Sequence, residues 1–518
     1  MDDARETGLS RRGLLKKGAA AAAGGAALVS QGAPLFAQAP AVVTARRFRG
    51  WVTRGGGTNR TTLQELTLRP ISGRQVLVRT EATNLCYSNV GAVLGLQGNV
   101  GTAAGGAGGA GRAGGTPQAG GPGGPGAGAG GPGGPGAAGG RAGAAGQAPP
   151  GVPGGRGRGA GAGGGGFGGG RALIQGHGGV GVVEAVGPDV RRVQPGDRVC
   201  VSGTPQCGSC YQCLRGRSDM CQFLGRQGPN DLYPIADMSD GTAVYANSLI
   251  GGLAEMMVTN EEWVVPIFTR ATAADLGMVC SCVTVAGLGA TTSPSLALVQ
   301  PGSTVAVVGC GPLGLSAVQG ARIAGASTII AIDPIRARRD VALQVGATHV
   351  LDPNELGKGL VGRVRDMTSG PNNRLWSGGR DSGGLLGGAG ADFVIEAAGA
   401  DAVPPKLEPS PDPTGILALT QAYEMTAPGG HVVTTSLPRG NVTLPAVMFA
   451  IGGRTHHAGQ AGGSNPMRDI PRYVEMLDKG QFDAKILATT VVGLEGMIEA
   501  YEQAAYRTTV TAIMTPGV

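Results

Sequence analysis

The sequence predicts an α/β protein built around a doubly wound parallel sheet. Residues 303–308 are a β-branched apolar run of the kind buried in parallel sheets, and they lead directly into Gly309-Cys310-Gly311-Pro312-Leu313-Gly314. A helical stretch, 315–324, and a second strand, 328–332, follow, and that strand ends at Asp333. Further strand patterns at 392–396 and 430–434 extend the sheet. A G-x-G-x-x-G pattern between a strand and a helix is typical of dinucleotide-binding folds.

Each part of this loop has a role in the predicted nucleotide site. Gly309 permits a tight turn, Gly311 lets the backbone approach a pyrophosphate, and Gly314 lets helix and strand pack closely. Pro312 and Leu313 complete the loop, and the helix N-terminus that follows favours negative charge. The loop therefore predicts a bound dinucleotide.

Asp333 bears on which dinucleotide binds. A carboxylate there can accept hydrogen bonds from the adenosine ribose and would repel a 2′-phosphate, which favours NAD over NADP. Three arginines follow at Arg336, Arg338 and Arg339. Arg338 is included in the predicted cofactor site; the three could instead receive a 2′-phosphate or form a solvated helix face.

A cluster of four cysteines predicts a second type of site. Their spacing is C-x2-C-x2-C-x7-C, formed by Cys207, Cys210, Cys213 and Cys221. Four thiolates at such short intervals can surround one zinc ion about 2.3 Å from each sulfur and leave no position for substrate, so the predicted role is structural. The alternative is a pair of disulfides, which would be strained between such close neighbours.

Composition limits the remaining possibilities. The 518 residues can carry two domains, but the 99 glycines and 34 prolines of the chain show that part of it is not packed core. The surplus glycine is concentrated in 98–171, which predicts a disordered Gly/Ala/Pro-rich insert. The 42 Lys plus Arg against 35 Asp plus Glu give a net charge of +7, without a basic patch interleaved with aromatics. Arg156 and Arg158 lie between glycines, yet Phe167 is the insert's only aromatic residue, so we expect a spacer and no nucleic-acid partner.

The first residues resemble a twin-arginine export signal. Arg11 and Arg12 precede an apolar run, 18–29, and the small-residue site Ala37-Gln38-Ala39. We therefore expect 1–39 to be a signal segment read by export machinery, with the protein periplasmic or extracellular. The alternative is a basic, disordered N-terminus on a cytoplasmic protein.

Three more residues could form an open metal site: Cys86, His177 and Cys282. Two thiolates and one imidazole would leave a fourth zinc position for water or a substrate oxygen. Cys280 competes with Cys282 for the third place. Cys200 and Cys310 are expected to be small buried hydrophobes, and His456 and His457 a loop or surface pair rather than ligands.

With this order of motifs, the chain resembles the zinc-containing alcohol dehydrogenases of the medium-chain dehydrogenase/reductase superfamily. The resemblance covers roughly 45–95 and 172–518. It rests on the cysteine before the insert, the Gly-His pair within 176–187, the segment 195–199, the cysteine lobe and the G-x-G-x-x-G loop.

The resemblance implies a GroES-like β-barrel catalytic domain and a Rossmann domain. The expected boundaries are 40–97 with 172–285 for the catalytic domain, 286–460 for the Rossmann domain and 461–518 for the return to the catalytic domain. It makes Cys86, His177 and Cys282 the ligands of a catalytic zinc and the four-cysteine lobe the site of a structural zinc. It also implies hydride transfer between an alcohol, or an aldehyde or ketone, and the nicotinamide, and a homo-oligomer.

The resemblance also assigns a role to Ser88, and the chain departs from the family pattern at three positions near the predicted site. Ser88 lies where family members place the hydroxyl that receives the alcohol proton, although a buried serine can simply bond to backbone. Gly178 replaces the usual glutamate after the histidine, Asn89 the aspartate that orients the histidine, and Gly91 the histidine that ends the proton relay. These departures motivate an alternative, a catalytically decayed zinc- and nucleotide-binding exported protein.

Export would also separate the enzyme from free NAD. We therefore expect tightly bound NAD that is re-oxidised in place, as in the nicotinoprotein alcohol dehydrogenases that the chain resembles. The insert is either a flexible cover near the catalytic zinc or a tolerated extension, because the cost of loop closure grows slowly with length. A further alternative is a scaffold protein in which the insert is the functional part.

Overall fold

The computed structural model describes residues 46–54, 60–96, 171–226, 232–369, 390–400 and 411–517. The predicted export segment, and the Gly/Ala/Pro-rich insert up to residue 170, lie outside these ranges and remain predictions.

The first domain is made of a small closed barrel and a second, larger sheet. The barrel has the order β1-β2-β7-β8-β4. The second sheet has the order β10-β6-β5-β3-β18-β17, with β9 also paired to β3. The strands of this domain are β1 Arg47–Thr53, β2 Thr61–Leu68, β3 Gln75–Asn84, β4 Ala172–Ile174, β5 Gly179–Val186, β6 Arg198–Val201, β7 Pro234–Met238, β8 Ala243–Ala246, β9 Met256–Asn260, β10 Val264–Pro266, β17 Ala488–Val492 and β18 Thr511–Met514. This is the GroES-like arrangement that the resemblance implied.

The second domain is a parallel sheet of the doubly wound type. Its order is β13-β12-β11-β14-β15-β16 with all strands parallel, so the side on which successive strands are added changes between β11 and β14. Ligands bind at such a change, outside the carboxyl ends of the strands. The strands are β11 Thr304–Val308, β12 Thr328–Ile332, β13 His349–Leu351, β14 Ala391–Glu396, β15 Thr426–Thr434 and β16 Thr455–Ala458. The predicted α/β fold with a Rossmann sheet is therefore confirmed.

Helices cover this sheet and connect the two domains. Apolar side chains of helix and sheet form one buried core that includes Leu276, Leu288, Val305, Val307 and Leu315. The α-helices are α1 Val90–Leu94, α2 Tyr211–Leu214, α3 Ala273–Val279, α4 Cys282–Thr292, α5 Pro312–Ile323, α6 Arg336–Val345, α7 Pro353–Leu356, α8 Leu360–Thr368, α9 Ile416–Met425, α10 Val447–Ala450, α11 Pro466–Asp478 and α12 Met497–Tyr506. Short 3-10 helices lie at Tyr87–Asn89, Ser218–Met220, Gln222–Arg226, Asn247–Leu249, Glu261–Trp263, Gly357–Gly359 and Gln460–Gly463.

The C-terminal segment returns to the first domain, where β18 pairs antiparallel with β3 and places Ile513 opposite Asn84. The expected boundary between residues 285 and 286 falls inside α4, which is continuous from Cys282 to Thr292. Because α4 packs along α5, this one helix belongs to both domains.

Two local expectations differ from the structure. The helix after the glycine loop begins at Pro312 instead of residue 315, because proline fits the first position of a helix, where no N–H partner is needed. His456 and His457 lie on the edge strand β16 and not in a loop, although the exposed position of His456 agrees with the expected surface pair; Nε2 of His457 is 3.0 Å from Nδ1 of His431. Strand pairing with β15 outweighs the loop-like composition around them.

No single helix in the described ranges is long and apolar enough to cross a bilayer. Helices α3 and α4 meet the length and composition requirement only when taken together, across a bend of 50°.

Candidate metal and cofactor sites

The four-cysteine lobe brings its thiols together as predicted. Their sulfur atoms all lie within 4.8 Å of one another, and those of Cys207 and Cys213 are 3.9 Å apart. A tetrahedral zinc with Zn–S bonds of about 2.3 Å separates its sulfur ligands by roughly 3.8 Å. All four cysteines are free thiols, so the arrangement fits zinc and not a pair of disulfides.

Backbone groups around the lobe favour the thiolate forms that a metal needs. Burial alone would raise the pKa of Cys210, but N–H groups of Gln222 and Cys213 and the neighbouring thiols lower it to about 6. The pKa of Cys207 is also lowered, because N–H groups of Ser209 and Cys210 outweigh the effect of burial. Burial raises the pKa of Cys213 and Cys221, so the thiolate is favoured at two of the four cysteines and a cation has to stabilise it at the others.

The second cluster is assembled from three distant parts of the chain. Cys86 follows β3 and precedes the 3-10 helix Tyr87–Asn89, His177 lies in the turn between β4 and β5, and Cys282 is the first residue of α4. The hydroxyl of Ser281 accepts the N–H of Thr284 and so caps that helix, which fixes where Cys282 lies.

The donor atoms of this cluster converge at metal-binding distances. Nε2 of His177 is 3.1 Å from Sγ of Cys282, which is 3.5 Å from Sγ of Cys86. The three atoms fit one face of a zinc tetrahedron and leave its fourth position open. Cys280 is outside the cluster: its carbonyl accepts from Sγ of Cys200, 3.7 Å away in the core. The structure therefore places Cys282, and not Cys280, beside the other two donors.

When no cation is present, Cys86 and His177 shift each other's pKa toward the charged form of each group. The hydrogen bond from Cys282, together with His177, lowers the pKa of Cys86 well below its usual value. Burial alone would lower the pKa of His177, but the Cys86 thiolate raises it. A divalent cation would replace this internal ion pair, because it binds the thiolate and the neutral imidazole together.

Ser88 and Asn89 contact the cluster from the same 3-10 helix. Ser88 is exposed rather than buried, and its hydroxyl donates to Sγ of Cys86 over 3.2 Å instead of to backbone. Nδ2 of Asn89 lies 3.4 Å from Nδ1 of His177. Asn89 therefore occupies the position from which an orienting side chain reaches the imidazole.

The other two departures from the family pattern are Gly178 and Gly91, and the structure shows what surrounds each. A Cβ atom on Gly178 would meet no atom closer than the carbonyl oxygen of Val201, at 3.7 Å, so space alone does not exclude a side chain there. The carbonyl of Gly91 accepts a hydrogen bond from Nη2 of Arg60 at 2.5 Å. The guanidinium of Arg60 is therefore hydrogen-bonded to the backbone of α1 at the position where the relay histidine is absent.

The glycine loop has the geometry that its pattern predicts. Gly309 has φ +93°, and a Cβ atom there would lie 2.7 Å from the backbone of Ala398. A Cβ atom on Gly311 would instead meet nothing closer than Nη1 of Arg338, at 4.0 Å. The loop is thus tightly packed at its turn and open beside Gly311, where a ligand phosphate needs room.

Asp333 holds this loop in place from the end of β12. Its Oδ2 accepts the N–H of Cys310 at 2.7 Å, and its Oδ1 accepts the N–H of Ile335 at 2.8 Å. Each carboxylate oxygen has a second lone pair, so the side chain can still accept from a ribose hydroxyl. Cys310 itself is fully buried, as is Cys200, in agreement with the hydrophobic role expected for both.

The three arginines after Asp333 have different surroundings. Arg339 forms an ion pair with Asp352 at 2.8 Å, and its Nη1 donates to the carbonyl of Asp333. Arg336 is exposed on α6, whereas Arg338 points back to the glycine loop. The structure therefore places Arg338 alone among the three beside the open side of Gly311.

Helix α4 brings the metal cluster and the nucleotide loop together. Its Gly287 packs so closely on the loop that a Cβ atom there would lie 2.4 Å from the carbonyl of Leu313. One turn earlier, Oγ1 of Thr284 is 3.3 Å from Oγ of Ser316 on α5. A metal bound at Cys282 and a dinucleotide bound at the start of α5 would thus share one rigid helix pair.

Tyr501 of α12 and Arg507, which follows this helix, reach the site without any signal in the sequence. Tyr501 is fully buried, and burial, with the charge of Cys86 adding to it, raises the pKa of its phenol. Arg507 follows the last residue of α12 and lies over the ring of Tyr87 at 5.5 Å. Neither residue belongs to a motif, and both are far along the chain from the ligands that they approach.

Comparison with known proteins identifies the family. The alcohol dehydrogenase GroES-like domain family matches residues 163–269, and the zinc-binding dehydrogenase family matches 312–408. Alcohol dehydrogenase B of Mycobacterium tuberculosis is 30% identical over 342 residues, which cover 64% of this chain and 80% of the relative. The NDMA-dependent alcohol dehydrogenase of Amycolatopsis methanolica is 28% identical over 341 residues, with the same coverage.

A solved structure agrees with this assignment at the level of fold. Benzyl alcohol dehydrogenase from Acinetobacter calcoaceticus superposes with a TM-score of 0.63 and 20% sequence identity, covering 91% of this chain and 99% of that one. The sheets of the present chain, together with its two cysteine-containing clusters, agree with the fold of the enzymes that it resembles in sequence. The chain belongs to the zinc-containing alcohol dehydrogenases of the medium-chain family and is a zinc-dependent oxidoreductase of that type.

Proposed function

We propose that this protein transfers a hydride between the carbinol carbon of a small alcohol and NAD, with the aldehyde or ketone as the other partner of the reaction. The observation that carries the proposal is the convergence of Cys86, His177 and Cys282 at the start of α4. Cys282 is the first residue of this helix, and the helix packs against the nucleotide loop. An open three-donor metal site next to a dinucleotide site is what hydride transfer from an alcohol requires.

The proposed zinc content is two ions, one in the cysteine lobe and one in the three-donor cluster. When bound in the cluster, zinc supplies Lewis-acid polarisation of the alcohol oxygen, which lowers the pKa of the alcohol. The hydroxyl of Ser88, an exposed residue, lies 3.2 Å from Sγ of Cys86, which supports a role in which it receives the alcohol proton while its own proton passes toward solvent. Asn89 holds the ring of His177 from its far side.

We propose NAD as the preferred dinucleotide. Asp333 lies at the end of β12 with both oxygens fixed by backbone N–H groups, so its charge faces the ribose position. Arg339 is paired with Asp352. Arg338 is therefore left to balance the negative charge of Asp333 if a 2′-phosphate were to bind. This balance supports NAD over NADP.

Retention of NAD, export and assembly are further parts of the proposal. The Amycolatopsis relative is named an NDMA-dependent alcohol dehydrogenase, which supports turnover with an acceptor other than free NAD. The paired Arg11 and Arg12 support export by the twin-arginine route. Among the described strands β16 pairs only with β15, and Phe449 and Ile451 beside it are exposed, which supports a homo-oligomer.

The deciding experiment measures bound zinc, bound NAD and hydride transfer on the same purified sample. Primary, secondary and aromatic alcohols are tested with added NAD, and with NDMA as acceptor without added NAD. Two zincs with turnover support the dehydrogenase, and turnover with NDMA alone supports retained NAD. Retained zinc and NAD with no turnover on any alcohol would support the decayed alternative. Light scattering on the same sample gives the oligomeric state.

A further inference from the structure

Three hydroxyl groups meet between the metal cluster and the nucleotide loop. Oγ1 of Thr284 on α4 accepts hydrogen bonds from Oγ of Ser281, at 3.2 Å, and from Oγ of Ser316 on α5, at 3.3 Å. Ser316 also donates to the carbonyl of Pro312, the first residue of α5, at 2.7 Å. The hydroxyls therefore form a continuous path from the residue before Cys282 to the glycine loop.

This hydroxyl path lies in an otherwise apolar core. Thr284 and Ser316 are fully buried, and Ser281 is 3% exposed. Val285 and Leu315, on the same two helices, belong to the buried apolar cluster. Burying a hydroxyl costs free energy unless the group is hydrogen-bonded, so these hydroxyls are stable only where they reach one another. They therefore restrict how α4 and α5 can lie against each other.

The rest of the contact between α4 and α5 is made through glycines. A Cβ atom on Gly287 would lie 2.6 Å from Cβ of Ser316, and one on Gly320 would collide with Oγ1 of Thr291. Such contacts bring the helices close but leave few side chains to interlock, so packing alone fixes their register weakly. A slip of one residue moves a helix about 1.5 Å along its axis, which the hydrogen bonds of the hydroxyl path would not tolerate.

Each of these helices carries one half of the proposed reaction. Cys282, a donor of the metal cluster, is the first residue of α4, and Gly311, beside the open space of the nucleotide loop, directly precedes α5. Hydride transfer requires the reacting atoms to approach to about 3–3.5 Å, and a displacement of about 1 Å can lower the rate about 100-fold. The register of α4 on α5 therefore bears directly on the rate.

We propose that Thr284 is a positioning residue, whose hydroxyl fixes the alcohol site at the metal cluster relative to the dinucleotide site. It acts through Cys282 on one side and through Ser316 on the other. This inference rests on the proposed hydride transfer between an alcohol and NAD.

The test compares Thr284→Val, Thr284→Ser and Thr291→Val with the wild type. Valine keeps the branched shape of threonine and removes the hydroxyl, whereas serine keeps the hydroxyl. Thr291 is the matched control, because it is also fully buried on α4 and packs on α5, but its Oγ1 donates to the carbonyl of Leu288 within its own helix, at 3.0 Å. Ser316→Ala removes the same link from α5 and tests the role if valine at residue 284 disturbs folding.

The kinetic measurements are kcat and KM with the alcohol that the wild type turns over fastest, with and without deuterium on its carbinol carbon. The dissociation constant of NADH, the zinc content and Tm are measured on every variant. A further measurement needs no turnover: the rate at which a chelator removes zinc from the three-donor cluster, with and without NADH. Coupling between two binding sites is reciprocal, so this rate reports how firmly the nucleotide site and the cluster are linked.

We expect Thr284→Val to lower kcat about tenfold, because a shift well below 1 Å already impairs hydride transfer. The remaining kcat should show a primary deuterium isotope effect, whereas KM, NADH affinity and zinc content should stay within about twofold of the wild type. NADH should slow zinc removal from the wild type and have little effect on Thr284→Val. Ser316→Ala should resemble Thr284→Val, Thr284→Ser should recover most of kcat, and Thr291→Val should match the wild type in kcat.

Two results would overturn the positioning role while leaving the proposed function intact. One is a wild-type kcat in Thr284→Val; the other is an equal loss of kcat in Thr284→Val and Thr291→Val, which would assign both hydroxyls to stability alone. A wild type that binds NADH but turns over no alcohol would instead overturn the proposed function. In that case, zinc removal that NADH slows equally in the wild type and in Thr284→Val would overturn the link between the two sites as well.

Discussion

The side-chain amide of Asn89 lies 3.4 Å from Nδ1 of His177, where the family usually has a carboxylate. The atom that faces Nδ1 is the amide nitrogen Nδ2, a donor; the amide turned by 180° presents its oxygen instead, which can accept the Nδ1–H that leaves Nε2 free for a metal. The amide brings no charge, however, and the imidazole remains less basic than one paired with a carboxylate. Asn89 therefore orients the ring without strengthening the metal site.

Replacing this amide by a carboxylate should strengthen zinc binding. We expect Asn89→Asp to raise the affinity of the three-donor site about tenfold, because the carboxylate stabilises the Nδ1–H form and makes Nε2 a better donor. Competition with a chromophoric chelator measures this affinity. Asn89→Ala is the matched control and should lose zinc faster than the wild type; stronger retention in Asn89→Ala than in Asn89→Asp would contradict this role.

Two neighbouring cysteines should differ sharply in their effect on metal content. Cys282→Ser removes a donor of the cluster, so we expect one zinc to be lost per chain and turnover to fall more than about 100-fold. Cys280→Ser changes a thiol that is buried against Cys200, so both zincs and turnover should be retained. Elemental analysis checks both variants, and zinc loss from Cys280→Ser alone would reverse the assignment.

The lobe should make the zinc-free protein more stable as the pH rises from 6 to 9. The folded pKa of Cys210, about 6, lies below its model-peptide value of 9.0, so its contribution is present above pH 9 and is lost as the pH falls through 6. The lowered pKa values of Cys207 and Cys86 act in the same direction. The raised pKa of His177 acts in the opposite direction, and so do the raised pKa values of Cys213 and Cys221 near the upper end of this range.

Thermal unfolding of zinc-free protein across this pH range measures the effect. Cys210→Ser removes only the contribution of that thiol, so its unfolding temperature should rise less steeply with pH than that of the wild type. Parallel curves for the two proteins would mean that Cys210 is not held as a thiolate in the folded lobe.

Alanine substitutions at two glycines of the nucleotide loop should have different effects, one on stability and the other on NADH binding. Gly309→Ala is strained at φ +93° and clashes with the backbone of Ala398, so we expect a loss of roughly 1–3 kcal/mol in unfolding free energy. Gly311→Ala has room for its methyl group and should fold normally, but that methyl group occupies the pyrophosphate side, so NADH should bind at least about tenfold more weakly. Calorimetric unfolding and NADH titration measure both; normal NADH binding by Gly311→Ala would place the cofactor elsewhere.

Local motifs could be predicted from the sequence because their chemistry depends on near neighbours. The glycine loop and the cysteine lobe are each complete within about 15 residues. The choice between Cys280 and Cys282 was harder, because it depends on where α4 begins and which face of it meets His177. The approach of Tyr501 and Arg507 to the site could not be predicted, because it depends on how α12 packs on the catalytic domain and on one left-handed residue. The extension of the last Rossmann strand over His456 and His457 could not be predicted for a similar reason, since only pairing with β15 defines it.

The pairing of β3 with β18 also has a consequence for biosynthesis. During translation β3 can pair early with β5 on one edge and with β9 on the other, but β9 covers only Gln75–Arg79 of its edge. Thr83 and Asn84, at the end of β3, meet their partner β18 only after the whole Rossmann segment has been made. The Rossmann strands lie together along the chain and can pair as soon as β16 is available, so we expect the catalytic domain to be completed last, when synthesis reaches β18.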